Sequence, residues 1–276
     1  MSKIVGRIYM SLVFFLLYAP LLVMVFFSFN ESKSTSVFTG FSLKWYMELF
    51  SSSDTVNALR NTLILAICSA VLATLIGTVA AIGVYQLRSK WIRQSILLVN
   101  DIPMMNPDIV TGVSLMLLFV FIGRLMGLAN YLSFFTLLIA HTTFNIPYVF
   151  LNVMPKLVQT DPFLQEAAQD LGSTPIRAFF NVVLPSVYPG ILSGFLMAFT
   201  LSLDDFVISY YTTGNDFQTL PLKIFTMTKK TVKPDMYALS SVIFAAVLIL
   251  LLIINFGSIK NSKEQIKNSK EQKGDK

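Results

Sequence analysis

Long apolar runs separated by short polar stretches set the pattern of this chain. A helix needs about 20 mainly apolar residues to cross a bilayer, and six segments reach that length, at about 8–29, 62–87, 96–122, 132–151, 189–209 and 237–256. The first follows Lys3 and Arg7, as a signal peptide would. Its run is longer than an h-region, no A-x-A cleavage site follows, and five further runs come after it, so it is read as a retained span. The intervening stretches are uneven. Residues 30–59 form a sizeable loop containing the short amphipathic stretch Ser42–Phe50, suited to a membrane interface or a partner surface. Residues 88–93 are short and basic, 123–131 are short, 153–188 and 210–236 are longer, and 257–276 form a polar tail. No internal repeat and no separate soluble domain is visible. The pattern predicts an all-α polytopic membrane protein with one transmembrane domain over 1–256 and a tail over 257–276.

Composition strengthens this picture. Of 276 residues, 54% are hydrophobic and 13% charged, where a soluble domain carries roughly 25% charged residues. Cys68 is the single cysteine, so no intrachain disulfide can form, and no Cys/His cluster suggests a metal. The net charge of +6 is not a nucleic-acid signal: six of the 21 basic residues are the tail lysines 260, 263, 267, 270, 273 and 276. A lysine tail beside a membrane helix reports topology and contact with anionic lipid. With the N-terminus inside, the inner segments hold 13 Lys and Arg and the outer ones 8; without the tail the count is 7 against 8. Charge alone therefore places both termini in the cytoplasm only through the tail.

The loop at 153–188 decides more. Asp161 can cap a helix that starts at Pro162, and Gly172 can end it in a left-handed turn. Thr174 then caps a second helix, beginning at Pro175 and running to Pro185. Two short helices joined at a glycine make a rigid knob suited to a partner's cleft. The residues Glu166-Ala167-Ala168, Gly172, Val182, Leu184 and Pro185 stand at the spacing of the "EAA" loop of ABC-importer permeases, with Val182 where isoleucine is usual. This resemblance implies a cytoplasmic loop that docks on an ATP-hydrolysing subunit, and it fixes the orientation that charge left open. The chain itself contains no G-x-x-x-x-G-K-[ST] phosphate loop. The expectation is a subunit that binds no cofactor, with ATP and Mg held by a partner.

Charged side chains inside spans are costly and tend to be functional. Asp101, Asp108, Asp204 and Asp205 fall within apolar segments, whereas Arg60 and Arg124 sit at span ends. The intramembrane charge then reads as wholly negative, and a cationic substrate is the simplest group to neutralise it. Asn106-Pro107-Asp108 reads as a helix restart inside the third span, with Asn106 as cap and Asp108 in the first turn; broken helices also carry transporter sites. Asp204 and Asp205, about 21 Å along the helix from Gly190, would diverge by roughly 100° on one helix, one facing a lumen and the other a neighbouring helix. Phe206, Tyr210 and Tyr211 follow; such aromatics hold alkylammonium groups or form an interfacial belt. His141, the single histidine, fits a proton relay or, more ordinarily, a hydrogen bond between helices.

The segments Asn106–Val110, Leu201–Asp205 and Leu220–Ile224 also resemble the spermidine/putrescine importer permeases of the PotC type, over about 45–256. The resemblance implies a type I ABC-importer permease fold in a bacterial inner membrane and a polyamine substrate. It also implies a second similar permease subunit, a dimer of ATP-binding subunits and an extracytoplasmic polyamine-binding protein as partners. Glu166, Gly172 and Pro185 would carry coupling. Two rivals remain: a self-sufficient, proton-coupled secondary transporter of organic cations, and a membrane-embedded enzyme, for which no nucleophile–base or metal constellation is evident.

Overall fold

Apolar runs in a bilayer must satisfy their backbone internally, which leaves helices as the economical solution. The computed structural model describes residues 3–32, 37–128, 130–161, 163–214, 217–229, 236–245 and 248–249, and among these the chain is helical apart from turns and one isolated bridge between Asn30 and Phe41. The polar tail, and the sixth run from residue 250 onward, lie outside the described residues. The helices are α1 (Lys3–Ser28), α2 (Lys44–Ser51), α3 (Ser53–Gln86), α4 (Lys90–Met105), α5 (Asp108–Leu125), α6 (Phe134–Gln159), α7 (Phe163–Asp170), α8 (Pro175–Ala178), α9 (Leu184–Asp204), α10 (Val207–Thr212), α11 (Leu220–Thr228) and α12 (Met236–Ala245). Among the described residues, Ile4–Ser28, Ser53–Gln86, Asp108–Leu125, Phe134–Gln159 and Pro175–Asp204 are long and apolar enough to cross a membrane.

The chain divides into two units. One holds Met1–Ser53 and Met227–Lys276. In it, α1 is followed by a loop closed around the buried Asn30, whose Nδ2 donates to the Val37 carbonyl at 2.8 Å and whose Oδ1 accepts from the Thr39 amide at 2.9 Å. The amphipathic stretch expected near residue 45 is α2, anchored by the Trp45 indole donating to the Asn30 carbonyl at 2.7 Å.

The second unit, Asp54–Thr226, is a bundle centred on α6, which packs along α9 and α3. The buried face of α3 is a stripe of small residues, Ala58, Thr62, Ala66, Ser69, Ala70, Ala73, Gly77 and Ala81. Small residues let helix backbones approach where lipid supplies no hydrophobic drive. A Cβ on Gly77 would lie 2.9 Å from Val149 Cβ, and one on Gly194 would lie 3.2 Å from Val149 Cα. Gly77, Val149 and Gly194 thus share one level of the bundle. Eight residues away along each helix, Ser69, His141 and Ser202 share another.

Three expectations about individual elements change. The run at 96–122 is two helices, with a break at Asn106-Pro107; Asn106 ends α4 and Pro107 precedes α5, so Asn106 does not cap the restart. The helix that begins at Pro175 does not stop at Pro185. It passes through a π-helical turn at Phe179–Val183 into α9, and that widened turn just before Pro185 accommodates the missing proline N–H without ending the helix. The run at 189–209 breaks after Asp204, where Asp205 is extended (φ −63°, ψ 122°), so Asp204 and Asp205 do not share one helix.

Candidate functional site

The sequence-marked residues collect in two places. At one end of the second unit, α7 and α8 form the knob. The Asp161 carboxylate accepts from the Phe163 amide at 2.9 Å, and Thr174 Oγ1 accepts from the Arg177 amide at 3.4 Å, so both caps act as their residue types predict. Gly172, at φ +90°, ends α7: its amide donates to the Gln169 carbonyl at 2.8 Å and the Ser173 amide to the Ala168 carbonyl at 3.1 Å. This is the paired bonding of a left-handed glycine cap. Glu166, Ala167, Gly172 and Pro185 are exposed, while Ala168, Val182 and Leu184 are half-buried. Large apolar side chains are uncovered on the same knob, with Leu171 89% and Ile176 73% exposed.

The second place is the α9–α10 break. The last carbonyls of α9 have no intrahelical donor and carry the negative end of its dipole. Asp204, exposed, closes α9 at this negative end. Beyond the break, the Phe206 ring lies 4.2 Å from Phe225 of α11 and 5.6 Å from Tyr210, while Tyr210 meets Tyr211 edge-on at 5.2 Å. Tyr211 packs on α5, where a Cβ on Gly112 would stand 3.0 Å from its ring. Asp108, also exposed, starts α5 four residues before Gly112, about 6 Å along the axis. Carboxylates, carbonyl ends and aromatic faces therefore surround the two helix breaks. All are groups that attract an alkylammonium ion.

Asp205 behaves differently from Asp204. Its side chain is 9% exposed, and its carboxylate accepts from the amides of Ile208 at 3.2 Å and Ser209 at 2.8 Å, capping α10. His141 Nε2 lies 3.3 Å from Asp205 Oδ2. Asp205 is thus a structural cap rather than a lumen-facing charge. The sequence-level picture of wholly negative buried charge also changes. His141 faces Asp205, and Lys223, counted in an outer loop, is buried in α11 with Nζ donating to Thr55 Oγ1 at 2.8 Å. The exposed acidic character narrows to Asp108 and Asp204, while Asp101 is half-buried and accepts from Asn100 Nδ2 at 3.3 Å. Ser69, Asn145, Ser202 and Ser209, which surround His141, escaped the sequence reading. The i, i+4 spacing of His141 and Asn145 on one helix face was the signal available.

Comparison with known proteins places this architecture. Residues 73–260 match the family model described as the binding-protein-dependent transport system inner membrane component. The chain is 36% identical over 255 residues to the putrescine transport system permease protein PotI of Escherichia coli K12, covering 92% of this chain and 91% of that one. It is 35% identical over 254 residues to the spermidine/putrescine transport system permease protein PotC of Haemophilus influenzae, covering 92% and 96%. Among solved structures it resembles a bacterial ABC transporter involved in import of the acidic polysaccharide alginate, with a TM-score of 0.70, 15% identity and coverage of 91% and 92%. It also resembles the MetNI methionine ABC transporter, with a TM-score of 0.59, 15% identity and coverage of 76% and 93%. The structural likenesses show the fold, that of an ABC-importer permease, and with several apolar helices the chain is a multi-pass inner-membrane protein. By the match over 73–260 and the sequence identity along nearly its whole length, the chain belongs to the family of binding-protein-dependent transport system inner membrane components.

Proposed function

We propose that this chain is a permease subunit of an ATP-driven importer of polyamines, supplying half of the translocation pathway. The observation that carries the reading is the likeness, over nine-tenths of both chains, to permeases named for putrescine and spermidine. The two helix breaks supply chemistry that fits: Asp108 and Asp204 offer charge, and Phe206, Tyr210 and Phe225 offer ring faces to a flexible chain ending in ammonium groups. Fold alone leaves the substrate open, since a structural neighbour serves an acidic polysaccharide.

In this reading Glu166, Ala167, Ala168, Gly172, Val182, Leu184 and Pro185 form the surface that docks on a dimer of ATP-binding subunits, placing α7 and both termini in the cytoplasm. ATP and Mg sit on those subunits. Closure of the ATPase pair pushes the knob, and the π-helical turn at Phe179–Val183 passes that motion into α9, at whose far end Asp204 stands. A second, similar permease completes the pathway, and an extracytoplasmic polyamine-binding protein delivers substrate to the opposite face. This chain performs no covalent step.

The test separates this reading from a self-sufficient cation transporter. The lone chain and the assembled complex are placed in separate proteoliposomes, and labelled putrescine uptake is measured with and without ATP on the knob side. ATP-dependent uptake by the complex alone supports the proposal. Uptake by the lone chain driven by a proton gradient would overturn it.

A further inference from the structure

The bundle buries a polar cluster that transport by the exposed carboxylates does not use. Ser69 of α3, His141 and Asn145 of α6, Ser202 of α9 and Ser209 of α10 are each no more than 2% exposed. Asn145 Nδ2 donates to Ser202 Oγ at 2.7 Å, and Ser69 Oγ lies 2.9 Å from the same oxygen. The imidazole spans the break. Nδ1 is 3.2 Å from Ser202 Oγ on the α9 side, and Nε2 is 3.0 Å from Ser209 Oγ and 3.3 Å from Asp205 Oδ2 on the α10 side.

Burying these groups is costly unless each is paired, and an unwound backbone needs side chains to replace its lost helical bonds. Asp205 does this for two amides of α10, and those amides together with His141 Nε2 at 3.3 Å supply the partners of its buried carboxylate. A neutral imidazole protonated at Nε2 satisfies both ring nitrogens, while Asn145 Oδ1 is left without a hydrogen-bond partner among the described residues. Nε2–H donates towards Asp205 and Ser209, the Ser202 hydroxyl donates to Nδ1, and Ser202 accepts from Asn145 and Ser69.

We propose that His141 is a positioning residue for the cation pathway: it clamps the α9–α10 break, fixing Asp205 as the cap of α10 and thereby leaving Asp204 as the carboxylate presented at the end of α9. The inference rests on the reading of that break as part of the pathway. The histidine touches no substrate. Its work is to keep the two neighbouring aspartates in different roles.

The experiment uses the assembled complex in proteoliposomes with labelled putrescine and ATP, after checking that each variant assembles. His141→Leu should lower maximal turnover at least tenfold while leaving unchanged the concentration of loaded binding protein needed for half-maximal uptake. His141→Gln, whose amide reaches the Nε2 position, should retain turnover within about threefold. His141→Asn, which reaches only towards Ser202, should fall at least threefold below His141→Gln; this comparison decides if the leucine variant does not assemble. The double variant His141→Leu with Asp205→Asn should be no worse than His141→Leu alone, because both act through one contact. Wild-type turnover in His141→Leu, a fully inactive His141→Gln, or multiplicative loss in the double variant would each overturn the proposal; the second would mean that titration of His141 is required. Asp204→Asn is measured alongside. If it alone is silent, the pathway reading fails; if it is impaired while His141→Leu is normal, only the clamp fails.

Discussion

Gly172→Ala isolates the contribution of a single backbone conformation to docking. At φ +90° the glycine sits where L-residues are disfavoured, and a Cβ there would meet nothing within 4 Å. The cost is therefore conformational, about 1–2 kcal/mol for a left-handed residue, with no steric component. The chain can relieve it by opening the turn, which breaks the bonds from Gly172 to Gln169 and from Ser173 to Ala168 and lets α7 swing away from α8. If the closed knob is the form that docks, apparent affinity for the ATP-binding subunit falls by the same energy, roughly five- to thirtyfold. Gly127 is a built-in control. It has φ +67°, open space around a Cβ, and an equivalent pair of bonds from Gly127 to Arg124 and from Leu128 to Gly123, but it precedes α6 at the end opposite the knob. Titrating the purified ATP-binding subunit onto the permease in nanodiscs should show weakened binding for Gly172→Ala and none for Gly127→Ala. Equal affinity of Gly172→Ala and wild type, or equal losses in both variants, would refute the reasoning.

Gly77→Ala drives a methyl group to within 2.9 Å of Val149 and 3.2 Å of the Ile146 carbonyl, so it should destabilise the bundle by about 1–3 kcal/mol, read as a lower melting temperature in detergent. Gly83→Ala lies in the same helix with nothing within 4 Å and should be neutral or stabilising by up to about 1 kcal/mol. Leu171→Asn removes the most exposed apolar side chain of the knob; it should leave melting unchanged within about 0.5 kcal/mol and weaken ATPase-subunit binding about tenfold.

The parts legible in sequence were those written in local chemistry. Apolar run length gave the all-α membrane class. Asp161, Gly172 and Thr174 gave the knob's caps, because capping depends on residue type at a fixed offset. The places where the structure departs from the sequence reading are those decided by tertiary contacts. Pro185 can end a helix or open one, and only the π-helical turn before it shows that α9 continues from α8. Asp204 and Asp205 are alike in sequence; the nearby His141 decides that one becomes a cap and the other stays exposed. Lys223 looked like a loop charge because its partner, Thr55, lies 168 positions away. Ser69, Ser202 and Ser209 are ordinary small polar residues in apolar helices; that Ser202 and Ser209 meet one imidazole, with Ser69 on Ser202, is a property of the packing.

The central claim is that this permease carries a cation past the carboxylates at its two helix breaks. The most direct measurement is ATP-driven uptake, by the assembled complex, of labelled putrescine against neutral and anionic solutes of the same length, for wild type, Asp108→Asn and Asp204→Asn. A charge-assisted hydrogen bond to an ammonium group contributes about 1.5–3 kcal/mol, so loss of either carboxylate should reduce putrescine transport roughly ten- to a hundredfold. The account predicts accumulation of the diamine alone by wild type and a loss of that size in both variants. Comparable import of the neutral solute, or wild-type putrescine rates in either variant, would contradict it.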